Sequence, residues 1–180
     1  MSINQPIIIS GAGPVGLTAA TILSQNGVPV IVYEKGEGPS KEWRASTFHA
    51  STLELLEETG LTDELLKRGI IADKVQYRDR QNGLFAEFDF SLIKDETKYP
   101  FRLQCPQSTY VQVAYEKLQK SSNVEVYFNS EIIDIVQDED GVNVTVEQPD
   151  GIHKVRTPFL LGADGARSTV RKESGMRFEG

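Results

Sequence analysis

The sequence has one cysteine, few histidines and no long apolar run. Cys105 alone cannot form an internal disulfide, which favours a reducing compartment, and we expect a cytoplasmic protein. His49 and His153 have no metal-ligating or triad partners at useful spacing, so we expect no metal site. No apolar run reaches ~18 residues and the first residues lack a basic segment, so we expect no integral membrane segment and no signal peptide.

Basic residues are the minority among the charged ones. The sequence has 19 Lys and Arg against 26 Asp and Glu, for a net charge of −7. No basic cluster is present, so we expect no nucleic-acid partner, because phosphate contacts drive that kind of binding. For the same reason, a ligand that carries phosphate must be held by local donors rather than by the overall field.

The most informative segment runs from Pro6 to Glu34. A short apolar run leads to Gly11-Ala-Gly13-Pro-Val-Gly16, a helical run follows, and a second apolar run ends at Glu34. This order of strand, glycine turn, helix, strand and acid is that of a dinucleotide-binding βαβ unit. We predict strands over 6–10 and 28–34 and a helix over 14–26. The helix should turn Leu17, Ala20, Ile22 and Leu23 toward the sheet, with Gly27 as its C′ residue.

Each conspicuous residue of this unit has a physical role. Gly11 permits the tight turn, Gly13 lets the backbone approach a pyrophosphate, and Gly16 allows close packing of the helix. The start of the helix offers free N–H groups and a positive dipole end to phosphates. The Glu34 carboxylate can accept hydrogen bonds from ribose hydroxyls and would repel a 2′-phosphate. The alternative is a βαβ unit that has only a structural role.

Downstream patterns predict the rest of the fold. Strands at 124–128 and 159–164 complete a parallel sheet, and three strands at 131–137, 142–147 and 152–157 form an antiparallel meander with turns at Asp-Gly pairs. Helices are predicted over 48–58, over 62–68 with Thr62 as N-cap, and over 108–120. Asn82-Gly83 predicts a hairpin within 74–90, and 91–103 is predicted to be irregular.

The most specific motif lies far downstream, at Gly162-Ala-Asp164-Gly165-Ala-Arg167-Ser-Thr-Val-Arg171. Together with the glycine turn and its terminal acid, this motif makes the chain resemble the FAD-dependent aromatic hydroxylases. These are the single-component flavoprotein monooxygenases of the para-hydroxybenzoate hydroxylase type. That family shares the glycine turn with its terminal acid, a mid-chain arginine, and an Asp-Gly motif before Ser-x-x-Arg. The resemblance implies an α/β fold, a Rossmann-like FAD-binding domain of the glutathione reductase kind.

The resemblance also implies a set of cofactor-binding residues. Arg44 would contact the flavin cofactor, Gln107 its ribityl–phosphate region, and Asp164 with Gly165 both FAD and the nicotinamide cofactor. The full set implied is Gly11, Gly13, Pro14, Val15, Gly16, Glu34, Lys35, Arg44, Gln107, Asp164 and Gly165. The alternatives are a solvated loop charge for Arg44, a simple helix-start residue for Gln107, and an Arg167 or Arg171 that only pairs with an acid.

The implied activity is hydroxylation of a small aromatic (phenolic) substrate by molecular oxygen. In this family NADPH or NADH reduces FAD, and a C4a-hydroperoxide of the reduced flavin delivers the hydroxyl group. The flavin carries this chemistry, which agrees with the absence of an evident acid–base dyad or nucleophile triad, and no catalytic residue is assigned.

The sequence departs from the family pattern in length. Family members are usually at least twice as long, and their later Gly-Asp motif has no counterpart after residue 171. We therefore interpret the chain as an N-terminal portion, with 1–71 and 104–180 in a discontinuous FAD-binding domain and 72–103 beginning a substrate-binding domain. Apolar surface at the cut edge would favour association, so a homo-oligomer is one expected state.

Other functional classes stay open at this point. Flavin halogenases and isoprenoid reductases use the same architecture. An NAD-dependent dehydrogenase would not need the Asp-Gly motif at Asp164 or the meander before it. A module that binds a nucleotide without catalysis is the third alternative. Flavin retention and oxygen-dependent consumption of NAD(P)H would separate these classes.

Overall fold

The computed structural model describes residues 5–179, so the outermost positions of the predicted domains, 1–4 and 180, lie outside the described residues. The described chain forms two compact units. The first unit takes the residues up to Ser40 and those from Ala114 onward, and the second unit is Lys41–Val113.

The structure contains twelve strands and five α-helices within the described residues. In chain order they are β1 (Ile7–Ser10), α1 (Pro14–Gln25), β2 (Val30–Tyr33), β3 (Thr47–Phe48), α2 (Ala50–Glu57), α3 (Leu61–Leu66), β4 (Ile70–Ala72), β5 (Lys74–Asp79), β6 (Gly83–Asp89), β7 (Arg102–Gln104), α4 (Gln107–Leu118), β8 (Val124–Tyr127), β9 (Glu131–Asp138), β10 (Gly141–Gln148), β11 (Gly151–Thr157), β12 (Leu160–Gly162) and α5 (Thr169–Glu173). None of the described helices is long and apolar enough to cross a membrane.

A parallel sheet forms the centre of the first unit. Its strand order is β12-β1-β2-β8 and every neighbouring pair is parallel. Ser10 is in register with both Tyr33 and Gly162, so these strands end at one edge of the sheet. All four residues of β1 are buried, as expected of a parallel strand covered on both faces. The predicted parallel sheet is confirmed.

The predicted meander is also confirmed, and it covers part of the sheet. Strands β9, β10 and β11 pair antiparallel in the order β11-β10-β9. The alternating valines of β10 are buried and join Ile8 and Tyr33 of the parallel sheet in one apolar cluster. Alternation along β10 thus places one face of the meander against the sheet.

Helix α1 buries a somewhat different set of residues from the one that the sequence suggested. Leu17 and Ala20 are buried as predicted. Ile22, which we expected toward the sheet, is 44% exposed, and Thr21 is buried in its place. The Thr21 hydroxyl donates to the carbonyl oxygen of Leu17 at 2.7 Å, which satisfies it within the helix. Gly27 follows the helix with φ of 74°, the left-handed conformation predicted for it.

The second unit contains a small sheet that the sequence did not predict. Strands β3, β7 and β4 pair antiparallel in the order β3-β7-β4. The prediction that 91–103 is irregular is therefore wrong at 102–103, which belong to β7, and at 91–93, which belong to a 3-10 helix over Phe90–Ile93. Strands of two or three residues are too short for periodicity to reveal them.

The predicted N-cap of α3 is likewise wrong. Gly60 is the N-cap, with φ of 69°. The Thr62 hydroxyl instead donates to the carbonyl oxygen of Leu53 at 2.6 Å and is buried. Thr62 therefore joins α3 to α2 rather than starting α3.

Strands β5 and β6 form the predicted hairpin. The Asp79 carboxylate accepts hydrogen bonds from the backbone N–H groups of Gln81 and Asn82, at 2.8 and 2.7 Å. Both bonds lower the pKa of Asp79, and the bond from Asn82 has the larger effect. Gly83 has φ of 79°, so the Asn-Gly pair supplies the left-handed residue that the turn needs.

Candidate functional site

The glycine turn follows β1 at the carboxyl edge of the parallel sheet. Gly11 has φ of 101°, a conformation that favours glycine, and its N–H donates to the carbonyl oxygen of Tyr33 at 2.7 Å. A Cβ at this position would lie 2.6 Å from the carbonyl oxygen of Ala163. Gly11 is thus required both by the turn and by the close approach of the segment that follows β12.

The other two glycines of the turn have different surroundings. A Cβ at Gly16 would lie 1.9 Å from the carbonyl oxygen of Gly11, so α1 can pack on the turn only if this residue is glycine. A Cβ at Gly13 would meet nothing within 4 Å. The space in front of Gly13 is open, as the approach of a ligand requires.

The first turn of α1 is suited to an anion. Gly13 is the N-cap and provides no side-chain cap, Pro14 occupies the first helical turn, and this turn contains no acidic residue. The backbone N–H groups of Val15 and Gly16 lie in the turn whose donors have no partner within a helix. Together with the helix dipole, these groups are donors of the kind that bind an anion.

Glu34, the residue after β2, contacts the glycine turn directly. Its Oε2 atom accepts a hydrogen bond from the Ala12 N–H at 2.7 Å, and its Oε1 atom accepts one from the Gly36 N–H at 2.8 Å. Its own backbone N–H donates to the carbonyl oxygen of Tyr127 at 2.8 Å. The sequence predicted Glu34 at the sheet edge but not the contact with Ala12.

Asp164 occupies the segment after β12. Its Oδ2 atom accepts hydrogen bonds from the backbone N–H groups of Thr169 and Val170 at 2.8 and 3.2 Å. Its Oδ1 atom is buried and has no hydrogen-bond partner among the described residues. A buried acceptor without a donor is costly, and a hydroxyl group of a ligand would satisfy it. Gly165 follows with φ of 81° and is exposed.

The structure therefore brings three predicted parts together in the first unit. The glycine turn touches the Asp164 segment through Gly11 and touches Glu34 through Ala12. Ligands of open α/β sheets bind outside the carboxyl ends of the strands, and these residues lie there. Lys35 is beside them, exposed, with its Nζ atom 3.9 Å from Glu131 Oε1.

Two predicted residues belong to the second unit. The Arg44 guanidinium is exposed and pairs with the Glu42 carboxylate, with Nη2 2.6 Å from Oε2. Gln107 is the first residue of α4, and its backbone N–H donates to the carbonyl oxygen of Ala45 at 2.7 Å. This bond fixes the start of α4 beside the loop of Arg44. The cofactor contacts of both side chains stay predictions.

Two tyrosines lie where β2 and β8 end. Tyr33 and Tyr127 are in register, and their rings stack with centroids 5.6 Å apart. Burial, and secondarily the Glu125 carboxylate, raises the pKa of Tyr33. The Tyr127 hydroxyl donates to Glu125, and this bond is the main cause that raises the pKa of Tyr127. Both hydroxyls therefore stay protonated near neutral pH.

Neither a reactive cysteine nor a metal-binding cluster is found among the described residues. Burial raises the pKa of the Cys105 thiol, which opposes a role as nucleophile. Among residues 5–179, no cluster of histidine, cysteine and acidic side chains could hold a metal ion.

Comparisons with known proteins agree with this geometry. The sequence model of the family described as FAD binding domain matches residues 4–180. Para-nitrophenol 4-monooxygenase of Pseudomonas sp. (strain WBC-3) is 33% identical over 174 residues, which is 97% of this chain and 43% of that protein.

Two solved structures of monooxygenases are also similar to this chain. The chain is similar to p-nitrophenol 4-monooxygenase PnpA from Pseudomonas putida DLL-E4, with a TM-score of 0.95 and 34% identity, over 100% of this chain and 46% of that one. It is also similar to the flavin-dependent monooxygenase PieE in complex with FAD and substrate, with a TM-score of 0.87 and 26% identity, over 98% of this chain and 33% of that one. The chain thus spans less than half the length of these proteins.

Proposed function

The chain belongs to the FAD binding domain family, and on that premise we propose that it is the FAD-binding portion of a flavin-dependent monooxygenase. The whole protein would hydroxylate a small phenolic substrate with molecular oxygen, and NADH or NADPH would supply the electrons. The relatives named above support an aromatic substrate, because both p-nitrophenol enzymes act on a phenol by name.

The observation that carries the proposal is the meeting of the glycine turn, Glu34 and Asp164 at one sheet edge. Gly13 leaves open space for a pyrophosphate, and the first turn of α1 directs N–H groups toward it. The Glu34 carboxylate has remaining lone pairs for ribose hydroxyls. The unpartnered Oδ1 atom of Asp164 can accept a hydrogen bond from a hydroxyl group of the cofactor. The residues present fit FAD.

When FAD is bound, it supplies the redox and oxygen chemistry. The residues of this chain bind and orient it. In our proposal Gly11, Gly13, Pro14, Val15 and Gly16 surround the pyrophosphate, while Glu34 and Lys35 lie at the adenosine end. As the resemblance implies, Arg44 would contribute a cation and Gln107 an amide, and Arg44 would then exchange its exposed Glu42 partner for a group of the cofactor.

We also propose the domain division 1–71 with 104–180 for FAD and 72–103 for the start of the substrate-binding domain. The hairpin of β5 and β6 supports this division, because its aromatic side chains Tyr77, Phe85 and Phe88 are 51%, 73% and 58% exposed. Such exposure is typical of a surface that other chain segments or a ligand cover. A cytoplasmic location and a homo-oligomer are further parts of the proposal.

The test is a visible absorption spectrum of the purified chain after FAD has been added and the excess removed. Retained bands near ~375 and ~450 nm, which belong to the flavin itself, are the expected result. A folded chain that retains no flavin, or that binds NAD instead, would contradict the proposal. In the full-length protein, oxygen-dependent NAD(P)H oxidation accelerated by one member of a panel of phenols would then establish the substrate class.

A further inference from the structure

We infer that Glu34 positions the glycine turn before any cofactor binds, and that this role is separate from its proposed contact with ribose. The two hydrogen bonds from the Ala12 and Gly36 N–H groups to the Glu34 carboxylate form what we call the Glu34 bridge. The inference rests on the proposed function only for the identity of the ligand.

The geometry of the Glu34 bridge is that of strong hydrogen bonds. The two N···O distances are 2.7 and 2.8 Å, and each carboxylate oxygen accepts one of them. Hydrogen bonds to an ionised acceptor are shorter and stronger than those between neutral groups. Ala12 is buried and Glu34 is half-buried, so water competes less for these bonds than at an open surface.

The Glu34 bridge fixes the turn to the end of β2 at a second point. The Gly11 N–H already donates to the carbonyl oxygen of Tyr33 at 2.7 Å. With Ala12 held by Glu34, the residue after β2, two successive N–H groups of the turn bond to two successive residues, Tyr33 and Glu34. A binding loop that is ordered before it meets its ligand loses less conformational freedom on binding.

The bridge also decides which donors serve the ligand. The Ala12 N–H points at Glu34 and is therefore not a phosphate donor. The donors left to a pyrophosphate are the backbone N–H groups at Gly13, Val15 and Gly16, since Pro14 has none. Each Glu34 oxygen keeps a lone pair for a ribose hydroxyl, so both roles can operate together.

The substitution Glu34→Gln distinguishes the positioning role of Glu34 from a role in ribose binding alone. A glutamine amide can still exchange hydrogen bonds with ribose hydroxyls, but it has one acceptor oxygen. Its NH₂ group would face one of the two backbone N–H groups. The positioning role therefore predicts that Glu34→Gln is nearly as harmful as Glu34→Ala, whereas a ribose contact alone predicts that Glu34→Gln is much milder.

The first readout is amide hydrogen exchange of the ligand-free chain, followed residue by residue by NMR. We expect at least one of the Ala12 and Gly36 amides to exchange faster in Glu34→Gln by at least about tenfold, the factor that loss of a hydrogen bond to a charged group implies. Glu131→Gln is the matched control, because it removes the same charge from an exposed neighbour of Lys35. Unchanged exchange at both amides in Glu34→Gln would overturn the inference.

The second readout is FAD affinity by flavin fluorescence, with the melting temperature of the ligand-free variants as a companion. We expect Glu34→Gln and Glu34→Ala to weaken binding by similar factors, on the order of tenfold, and to lower the melting temperature relative to Glu131→Gln, since the bonds exist before the ligand binds. A merely structural role would lower the melting temperature and leave the affinity of the folded chain at the wild-type value. Wild-type affinity in Glu34→Gln together with weak binding in Glu34→Ala would overturn the inference.

The two proposals fail in different ways. If the wild-type chain does not bind FAD, the proposed function is wrong, and exchange at the two amides still decides the positioning role of Glu34. If Glu34→Gln does not fold, Glu34→Asp replaces it in the exchange experiment. The aspartate keeps the charge but is one methylene too short to reach both N–H groups, so the same acceleration is expected.

Discussion

The carbonyl oxygen of Ala163 lies so close to Gly11 that a Cβ atom on residue 11 would be only 2.6 Å from it. Gly11 belongs to the first loop of the chain and Ala163 to the loop after the last strand of the parallel sheet. Their contact places Asp164 beside the glycine turn. The glycine turn and the Asp-Gly motif therefore meet at Gly11, where the absence of a side chain permits the contact.

Gly11→Ala is expected to destabilise the fold by more than about 2 kcal/mol, because a left-handed backbone and an overlap with Ala163 act together. Chemical denaturation of the ligand-free chain measures this. Gly38→Ala is the control, since a Cβ there would meet nothing within 4 Å and no left-handed φ is found at Gly38. Equal stability of the two variants would contradict the contact.

Gly13→Val is expected to weaken FAD binding by more than about tenfold and to change the free energy of unfolding by less than about 1 kcal/mol. The side chain has space in the ligand-free chain, since nothing lies within 4 Å of the Cβ position, but it fills the approach to the pyrophosphate. Flavin fluorescence titration and denaturation measure the two quantities. Wild-type affinity would refute the proposed phosphate site.

Asp164→Asn is expected to keep stability within about 0.5 kcal/mol, because the amide oxygen can accept from Thr169 and Val170 as the carboxylate does. Asp164→Ala should cost about 1 kcal/mol, as the loss of a helix-capping acceptor does. Both should weaken FAD binding, because the Oδ1 acceptor is lost. If FAD affinity followed stability across the two variants, Asp164 would have only a capping role.

Arg44→Ala is expected to weaken FAD binding by about tenfold through loss of a charge-assisted contact. Its stability should change by less than about 1 kcal/mol, since the pair with Glu42 is exposed. Glu42→Ala is the matched control: it removes the partner and leaves the cation, so its FAD affinity should not fall. Equal affinities in Arg44→Ala and wild type, found together with the same result for Gly13→Val, would refute the whole proposed site.

The ion pair of Asp138 and Arg156 predicts a pH dependence. The pKa of Asp138 is lowered from 3.8 to about 2, and the main cause is hydrogen bonding from the Arg156 side chain. A lowered folded-state pKa means that the pair stabilises the fold above the unfolded pKa and that this stabilisation is lost as the pH falls from about 4 to about 2. The two Arg156 bonds, 2.7 and 2.6 Å, join β11 to β9.

The measurement is the difference in melting temperature between wild type and Arg156→Gln from pH 6 to pH 2. We expect the difference to be constant above pH 5 and to shrink toward zero at pH 2. Lys154→Gln, with the same charge change on the same strand, should show no such convergence. A gap as large at pH 2 as at pH 6 would contradict the assignment of the pKa shift to this pair.

Much of the fold was predictable because its signals are local and strong. The apolar runs that end at Ser10 and Glu34, with glycines between them, predict a βαβ unit from neighbouring residues alone. The valines of β10 alternate strictly and predict a meander with one buried face. The strands β3, β7 and β4 were not predictable, because two or three residues carry no period and their pairing joins distant segments.

The candidate site, like the fold, was predictable in part. Its residue types were evident from the sequence, since a glycine turn, a terminal acid and an Asp-Gly motif each have a chemical reason for their composition. The bonds between them were not. Neither the Glu34 bridge to Ala12 nor the unpartnered Oδ1 atom of Asp164 follows from spacing, because each depends on where separate loops meet.

The sequence by itself determined the class of ligand and the strands that hold it, because glycine positions, apolar runs and terminal carboxylates express backbone conformation and charge locally. The tertiary structure alone decided which groups are still available to that ligand. Packing placed Ala163 against Gly11, directed the Ala12 N–H to Glu34 and left Asp164 Oδ1 without a donor among residues 5–179. Hydrogen-bond satisfaction is a property of atoms in space, and only the folded chain brings those atoms within reach.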